Sequence, residues 1–223
     1  MKLEMDILYQ DRDMAVVNKP GGLLAVPGRG PDKQDCVTAR VRQRILGCIE
    51  QPAVHRLDMD TSGLMVLGLT RAAHRHLSCQ FAERRVEKRY VALVAGEVGT
   101  DAGEIRLCFR LDPENRPHQV YDPVQGKLGI TRWRRQAVFP GQSLIEFTPL
   151  TGRTHQLRLH AAHPLGLGCP IVGDRLYGSG QPGETLCLHA AWLQVIHPGN
   201  GSLMRFSSPA PFPVPENSGG YCG

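Results

Sequence analysis

The sequence lacks several features typical of secreted and membrane proteins. Its 223 residues contain no apolar run of about 18 residues, so no membrane span is expected. The opening stretch MKLEMDILYQDRD carries charges where a signal peptide has its apolar segment. The seven cysteines form no CxxC pair, which favours reduced, mostly buried thiols. These absences predict a cytoplasmic protein that makes no contact with a membrane.

Motifs for nucleotide hydrolysis and for metal binding are also absent. The loop NKPGGLLAVPGRG (18–30) does not have the GxxxxGK[ST] spacing of a phosphate-binding loop. His155, His160 and His163 form no HExxH motif and have no cysteine or carboxylate at ligand spacing. We therefore expect neither a metal site nor an organic cofactor.

The composition is that of an ordinary globular protein with a weak basic bias. Apolar residues make up 41% of the chain and charged residues 21%, which excludes disordered and fibrous classes. Lys and Arg number 26 against 21 Asp and Glu, a net charge of +5. This charge suits an anionic partner such as nucleic acid, but an ordinary hydrated surface explains it equally well.

Short strands alternate with a few helices along the chain. The segments 14–18, 90–95 and 143–148 are rich in β-branched residues and are bounded by Gly, Pro or charged residues, so they predict strands. Two apolar stripes with helical spacing predict helices, the second capped by Thr70. A third helix is expected from about Thr154, with Leu157 and Ala161 on its apolar face and Arg158 on its polar face. The two stripes are Val37, Val41 and Ile45, and Ala73, Leu77 and Phe81.

This irregular order predicts an α+β fold with a mixed, mostly antiparallel sheet. We expect a single domain over residues 1–208. Residues 209–223 are rich in Pro and then in Gly, so they predict an extended surface strap that ends in a mobile tail.

The segment HRLDMDTSGLMVLGLT (55–70) is the strongest candidate for a catalytic site. It places Asp58 at the mouth of an apolar strand, where a neighbouring arginine could keep the carboxylate ionised as a nucleophile or base. The alternative is structural: Asp58 or Asp60 caps backbone amides, and Ser62 and Gly63 bend the chain. The residues alone leave these two interpretations about equally weighted.

Two other segments carry candidate binding residues. In LTGRTHQLRLHAAH (150–163), a cluster of four polar residues could bind phosphate or pair an arginine with Asp58, but a solvated basic face is also possible. In VEKRYVALV (86–94), Lys88 and Tyr90 share one face of a strand, which suits phosphate neutralisation and base stacking, although such a tyrosine often only packs. The 18–30 loop contributes Lys19 and Arg29. The four clustered polar residues of segment 150–163 are Arg153, His155, Gln156 and Arg158.

Together and in this order, NKPGGLLAVPG, HRLDMDTSGLMVLGLT, KRYVALV and LTGRTHQLRLH resemble the sequence blocks of the RluA family of pseudouridine synthases. The resemblance runs from about Ile7 to Pro209. It implies the pseudouridine synthase fold, with an active-site cleft across a sheet flanked by helices and loops. It also implies an enzyme that isomerises uridine in RNA without a cofactor.

The resemblance further implies roles for individual residues. Asp58 is the catalytic carboxylate and Arg158 its ion-pair partner, Tyr90 stacks on the target base, and Arg56 enters the RNA stack as that base leaves. Whether Asp58 attacks C1′ of the ribose or removes the proton at C2′ stays open, with a lean toward proton removal.

The resemblance implies that the substrate is structured RNA. The expected targets are the anticodon stem-loop of transfer RNA, a stem-loop of large-subunit ribosomal RNA, or both. We expect a monomer with no obligate protein partner and no separate N-terminal RNA-binding domain. Two alternatives belong to other classes: a catalytically silent RNA-binding module, and a metal-dependent hydrolase that uses Asp58, Asp60 and the histidines. The presence of both Asp58 and Arg158 disfavours the first, and the missing ligand spacing disfavours the second.

Overall fold

A computed structural model describes residues 3–213 as two compact units. Unit 1 runs to Arg89 and resumes over His189–Pro209, and unit 2 comprises Tyr90–Leu188 and the described residues from Ala210 onward. A division into compact units does not decide whether they fold independently, so the single domain over 1–208 stays a prediction.

Ten strands and three α-helices form the regular structure of residues 3–213, with one short 3-10 helix at Pro31–Lys33. In chain order they are β1 (Asp6–Gln10), β2 (Met14–Lys19), α1 (Val37–Arg44), β3 (Ser62–Gly68), α2 (Arg71–Ala82), β4 (Glu87–Ala95), β5 (Ala102–Leu111), β6 (Gln119–Tyr121), β7 (Lys127–Phe139), β8 (Gln142–Pro149), α3 (Gln156–Ala162), β9 (Leu188–Ile196) and β10 (Leu203–Ser207).

The strands of unit 1 are ordered β1-β2-β3-β9, and β10 also pairs with β9. All these pairings are antiparallel except that of β3 with β9, which is parallel. Strands β2 and β3 are almost entirely buried, which explains why both read as continuous apolar runs. The predicted strand at 14–18 is confirmed.

Gly63 allows β3 to approach β9 closely. Its φ is +112°, and an added Cβ would lie 2.4 Å from the carbonyl oxygen of Ala190. Only glycine adopts this conformation without strain and leaves room for the facing backbone. The TSG string is therefore a packing requirement at the start of the strand that follows Asp58.

Helices α1 and α2 confirm the two predicted apolar stripes. Val37, Val41 and Leu77 are fully buried, and α2 packs against β3. The Thr70 hydroxyl accepts a hydrogen bond from the amide of Ala73 at 3.1 Å, which confirms the predicted N-cap.

The strands of unit 2 are ordered β4-β8-β7-β5-β6, and the neighbouring strands are antiparallel. Ile145 and Phe147 of β8 are fully buried at the centre of the core of this unit. The predicted strands at 90–95 and 143–148 lie within β4 and β8. The prediction of a mixed, mostly antiparallel sheet is confirmed for these two sets of strands.

Helix α3 differs from its prediction in one important respect. It begins at Gln156 rather than near Thr154, and Arg158 is only 3% exposed instead of lying on a polar face. The helix is buried almost all round because an ion pair with Asp174 neutralises the arginine inside unit 2. A sequence pattern cannot distinguish such a buried charge from a solvated one.

The C-terminal segment and the cysteines also depart from expectation. Phe212 is 6% exposed and packs into the core of unit 2, so the described part of the predicted surface strap is anchored by a buried ring. The expected mobile tail, residues 214–223, lies outside the described residues. Among the six cysteines described, all free thiols, only Cys36 and Cys187 are buried, and Cys79 is exposed on α2. The helices of residues 3–213 are all too short or too polar to cross a membrane.

Candidate active site

The loop that leads into β3 presents Asp58 and Arg56 at the surface of unit 1. Arg56 is exposed and Asp58 is half-buried. Within the described part of unit 1, neither a backbone amide nor a cation forms a hydrogen bond with the Asp58 carboxylate. The turn-capping interpretation of Asp58 therefore finds no support within the described part of unit 1.

His55 fixes this loop against α2. Its Nε2 accepts a hydrogen bond from the amide of Val66 at 3.1 Å, and its ring stacks on Phe81 with 4.5 Å between the ring centroids. Burial, together with the charge of Lys88, lowers the His55 pKa to about 3. The ring is thus neutral at pH 7, which its acceptor role requires.

Lys19 supports the same loop through a hydrogen bond to the Met59 carbonyl. It is fully buried, and its Nζ donates to the carbonyl oxygens of Pro20, Leu23 and Met59 at 2.7–2.9 Å. Burial lowers the Lys19 pKa to about 7, while the charges of Asp60 and Asp58 act in the opposite direction. All three donors of the ammonium are engaged, so this geometry argues against the predicted contact of Lys19 with RNA.

Arg29 and Lys88 differ in accessibility. Arg29 is exposed on the loop between β2 and α1. Lys88 is half-buried, and its Nζ lies 5.6 Å from the centroid of the Phe81 ring. Burial lowers the pKa of Lys88. The structure therefore places Lys88, but not Arg29, against the ring on which His55 stacks.

In unit 2, Arg158 forms a buried bidentate ion pair with Asp174. Its Nε and Nη2 lie 2.7 and 2.6 Å from the two carboxylate oxygens. Asp174 also accepts hydrogen bonds from the amides of Leu176 and Tyr177. Burial alone raises the Asp174 pKa, but the hydrogen bonds and charge of Arg158, with the two amides, outweigh burial and lower it. The pairing of Arg158 with Asp58 stays a prediction.

Tyr177 links Arg158 to His155. The Arg158 guanidinium lies 5.4 Å from the centroid of the Tyr177 ring. The Tyr177 hydroxyl accepts from the amide of Gln119 at 2.7 Å and lies 2.9 Å from Nδ1 of His155. His155 is 8% exposed and has a left-handed backbone with φ +54°. This burial argues against the predicted RNA contact of His155.

Gln156 has no free hydrogen-bonding capacity. Its Oε1 accepts from the hydroxyl of Thr151 and the amide of Arg153. Its Nε2 donates to the carbonyl of Ile130 and the hydroxyl of Thr131. These four bonds join the loop before α3 to β7 and argue against a direct contact of Gln156 with RNA.

Arg153 and Tyr90 remain accessible in unit 2. Arg153 is exposed. Tyr90 is half-buried at the register position opposite Phe147 and packs against the core. Lys88 and Tyr90 are both half-buried at alternate positions of β4, as the spacing predicted.

Sequence reasoning missed Asp174 and Tyr177, which fix the position of Arg158. Both lie in the string GDRLYG. The string offered a signal, an acidic residue inside a glycine-bounded turn, but it does not reveal which distant arginine the acid will meet. In residues 3–213 there is no group of three or more His, Cys, Asp or Glu side chains arranged to hold a metal ion.

Comparisons with known proteins give the family. The model of the RNA pseudouridylate synthase family matches residues 13–163, more than half of the chain. A dual-specificity RNA pseudouridine synthase RluA of Haemophilus influenzae is 45% identical over 212 residues, which are 93% of this chain and 94% of the relative. The protein of the same name from Escherichia coli K12 is 42% identical, over 92% of this chain and 93% of the relative.

A solved structure agrees with these relatives. The human RNA pseudouridylate synthase domain containing 1 aligns with a TM-score of 0.74 at 31% identity, covering 94% of this chain and 84% of the human chain. The α+β pseudouridine synthase fold is therefore confirmed, and neither a silent binding module nor a metal-dependent hydrolase is favoured. The chain belongs to the RluA branch of the RNA pseudouridylate synthase family and is an isomerase that acts on RNA.

Proposed function

We propose that the enzyme converts uridine to pseudouridine in stem-loops of both transfer RNA and large-subunit ribosomal RNA. One observation carries this proposal: relatives described as dual-specificity enzymes match nearly the whole chain at up to 45% identity, over nearly their own whole length.

The reaction needs only one well-placed carboxylate. The N1–C1′ bond breaks, the detached uracil turns, and C5 bonds to C1′. Finally C5 loses its proton and N1 gains one, so the atoms and the oxidation state of the nucleoside are conserved. We assign Asp58 to this chemistry as the base that removes the C2′ proton while N1 leaves C1′ with the bonding electron pair, which gives a C1′=C2′ double bond. The protonated Asp58 returns this proton to C2′ as C5 bonds to C1′, so the carboxylate is regenerated. The Asp58 carboxylate accepts no hydrogen bond within the described part of unit 1, which supports this role.

This assignment of Asp58 has a direct test. Uridine with deuterium at C2′ should react with a primary isotope effect in single turnovers if Asp58 removes that proton. A rate equal to that of ordinary uridine would instead favour direct attack of the carboxylate on C1′.

The other predicted site residues take supporting roles in the proposal. Tyr90 stacks on the uracil, and Arg158 keeps the Asp58 carboxylate ionised. Asp174, Tyr177 and Gln156 hold Arg158 and the loop before α3 in place through the contacts described above.

Contacts to RNA come from four cations, of which Arg29, Arg56 and Arg153 are exposed and Lys88 is half-buried. Arg56 fills the space that the target nucleotide leaves when it swings out of the stack, a step that costs a few kcal/mol. Lys88, Arg153 and Arg29 contact phosphates. Lys19 and His155 act as positioning residues and make no contact with RNA. We expect the enzyme to be cytoplasmic and monomeric. Light scattering of the purified protein tests whether it is a monomer.

Hairpins from both RNA classes test the proposed specificity. Purified enzyme is incubated with a transfer RNA anticodon stem-loop and with hairpins of large-subunit ribosomal RNA, each carrying tritium at C5 of uridine. Release of tritium reports the reaction, since C5 loses its hydrogen when it bonds to C1′. Turnover of at least one hairpin from each RNA class supports dual specificity. If hairpins of only one class react, the chain serves one class alone.

A further inference from the structure

The C-terminal end of α2 contains an arginine at a position that favours glycine. The amide of Arg84 donates to the carbonyl of Phe81 at 3.2 Å, and the amide of Arg85 donates to that of Gln80 at 2.9 Å. This pair of bonds is the Schellman arrangement, in which the residue after the helix cap is left-handed and is usually glycine. Arg84 occupies that position with φ +58°.

The described part of unit 1 shows no side-chain contact of Arg84 that would offset the cost of this strained backbone. The Arg84 side chain is exposed, and in the described part of unit 1 it forms neither a hydrogen bond nor an ion pair. Its neighbour Arg85 differs, because a carboxylate oxygen of Glu83 lies 2.6 Å from its guanidinium. A strained residue that the fold does not need suggests a functional requirement for its side chain.

The surroundings of Phe81 indicate what that requirement is. The Phe81 ring stacks on His55, the residue before Arg56, and the Lys88 ammonium lies 5.6 Å from the ring centroid. The carbonyl of Phe81 accepts the amide of Arg84. The Lys88 ammonium thus lies near this ring, and the segments that carry Arg56 and Arg84 both contact Phe81, the first through the neighbouring His55 ring and the second through a backbone hydrogen bond. We call Arg56, Arg84 and Lys88 the cation arc.

We propose that Arg84 binds a backbone phosphate of the RNA strand next to the target uridine, as the outer member of the cation arc. This inference rests on the proposed function, since it takes the ligand to be RNA. A guanidinium presents a fork of donors that matches two phosphate oxygens. The left-handed backbone turns the chain sharply at the helix end, where the amide of Arg84 meets the carbonyl of Phe81.

Replacing Arg84 by glycine separates the left-handed backbone, which glycine keeps, from the guanidinium group, which glycine lacks. The variant Arg84→Gly should melt at the same temperature as the parent or higher, because glycine adopts the left-handed conformation freely. Its affinity for the target hairpin should fall several-fold. The slope of log K against log salt should become shallower by about 0.7 to 0.9, the loss of one phosphate contact.

Two further variants serve as controls. Arg84→Lys keeps the charge and should keep the salt slope of the parent. Arg71→Ala removes an equal charge from the first residue of the same helix, eleven residues before Ala82 at its end, and should leave the slope unchanged.

The outcomes separate the two proposals. If the parent forms no pseudouridine in any hairpin, the proposed function fails. If the parent reacts but Arg84→Gly keeps its affinity and salt slope, only the phosphate contact is overturned. A lower melting temperature for Arg84→Gly, or an equal loss of affinity in Arg84→Lys, would also overturn it, since the side chain would then act by packing.

Discussion

Replacing Arg158 by methionine should destabilise the protein strongly. The variant leaves the Asp174 carboxylate, which is fully buried, without the two charged hydrogen bonds at 2.7 and 2.6 Å. Breaking a buried pair by removing one partner costs about 3 to 5 kcal/mol. For a chain of this length, that loss lowers the melting temperature on the order of 10 °C. Denaturant unfolding of both proteins measures the difference in free energy of unfolding, and thermal unfolding measures the difference in melting temperature.

The dependence on pH gives this prediction a second signature. In the parent the Asp174 pKa is lowered, so the pair contributes stability above the unfolded pKa near 3.8, and this is lost as pH falls through the folded pKa. Without Arg158, burial raises the Asp174 pKa, so the carboxyl takes up a proton as pH falls toward 4. The stability difference between parent and variant should therefore be largest at neutral pH and shrink in acid.

A double variant provides the control. Arg158→Met combined with Asp174→Asn removes both charges but keeps an oxygen that can accept the amides of Leu176 and Tyr177. It should recover part of the lost stability, with a coupling of about 1 to 3 kcal/mol. An Arg158→Met protein that unfolds within about 1 kcal/mol of the parent at pH 7 would refute this description of the pair.

Two other variants test contacts described above. Lys19→Met should lower turnover more than RNA affinity and leave the salt slope of binding unchanged, since the ammonium holds the Met59 carbonyl and does not reach solvent; a shallower slope would restore Lys19 as an RNA contact. His160→Leu should raise stability by about 1 to 2 kcal/mol, because among the described residues neither ring nitrogen has a hydrogen-bond partner. The His160 pKa is lowered to about 4, so the parent loses stability as pH falls from 6.5 to 4; the variant should lose less, and equal acid sensitivity would contradict this.

The elements with regular apolar spacing were predictable from the sequence. The stripe of α2 and its Thr70 cap follow from local rules, and the β-branched and aromatic residues of segments 14–18 and 143–148 predict the strands β2 and β8. Helix α3 shows where this reasoning stops. Its six buried residues include Arg158, whose charge is paired with that of the distant Asp174. Spacing along a chain does not report such a long-range partner.

The candidate site was predictable to a similar extent. The HRLD string identified Asp58, and the resemblance to a family supplied its role. The string could not show that Lys19 and Gln156 are buried with every donor engaged, because both are polar residues in segments that also suit an RNA surface. Arg84 was missed for another reason: its left-handed backbone is a property of the helix end, which becomes visible only with the structure.

The most direct test of the central claim compares Asp58→Asn with Asp60→Asn. Each variant removes one negative charge from the same loop, so a general effect of charge on the loop changes both alike. Tritium release from a hairpin labelled at C5 of uridine is measured in single turnovers, alongside hairpin affinity. We expect no detectable release by Asp58→Asn, with affinity within a few fold of the parent, and near-parental release by Asp60→Asn. Measurable turnover by Asp58→Asn would contradict the role of Asp58 as the catalytic carboxylate.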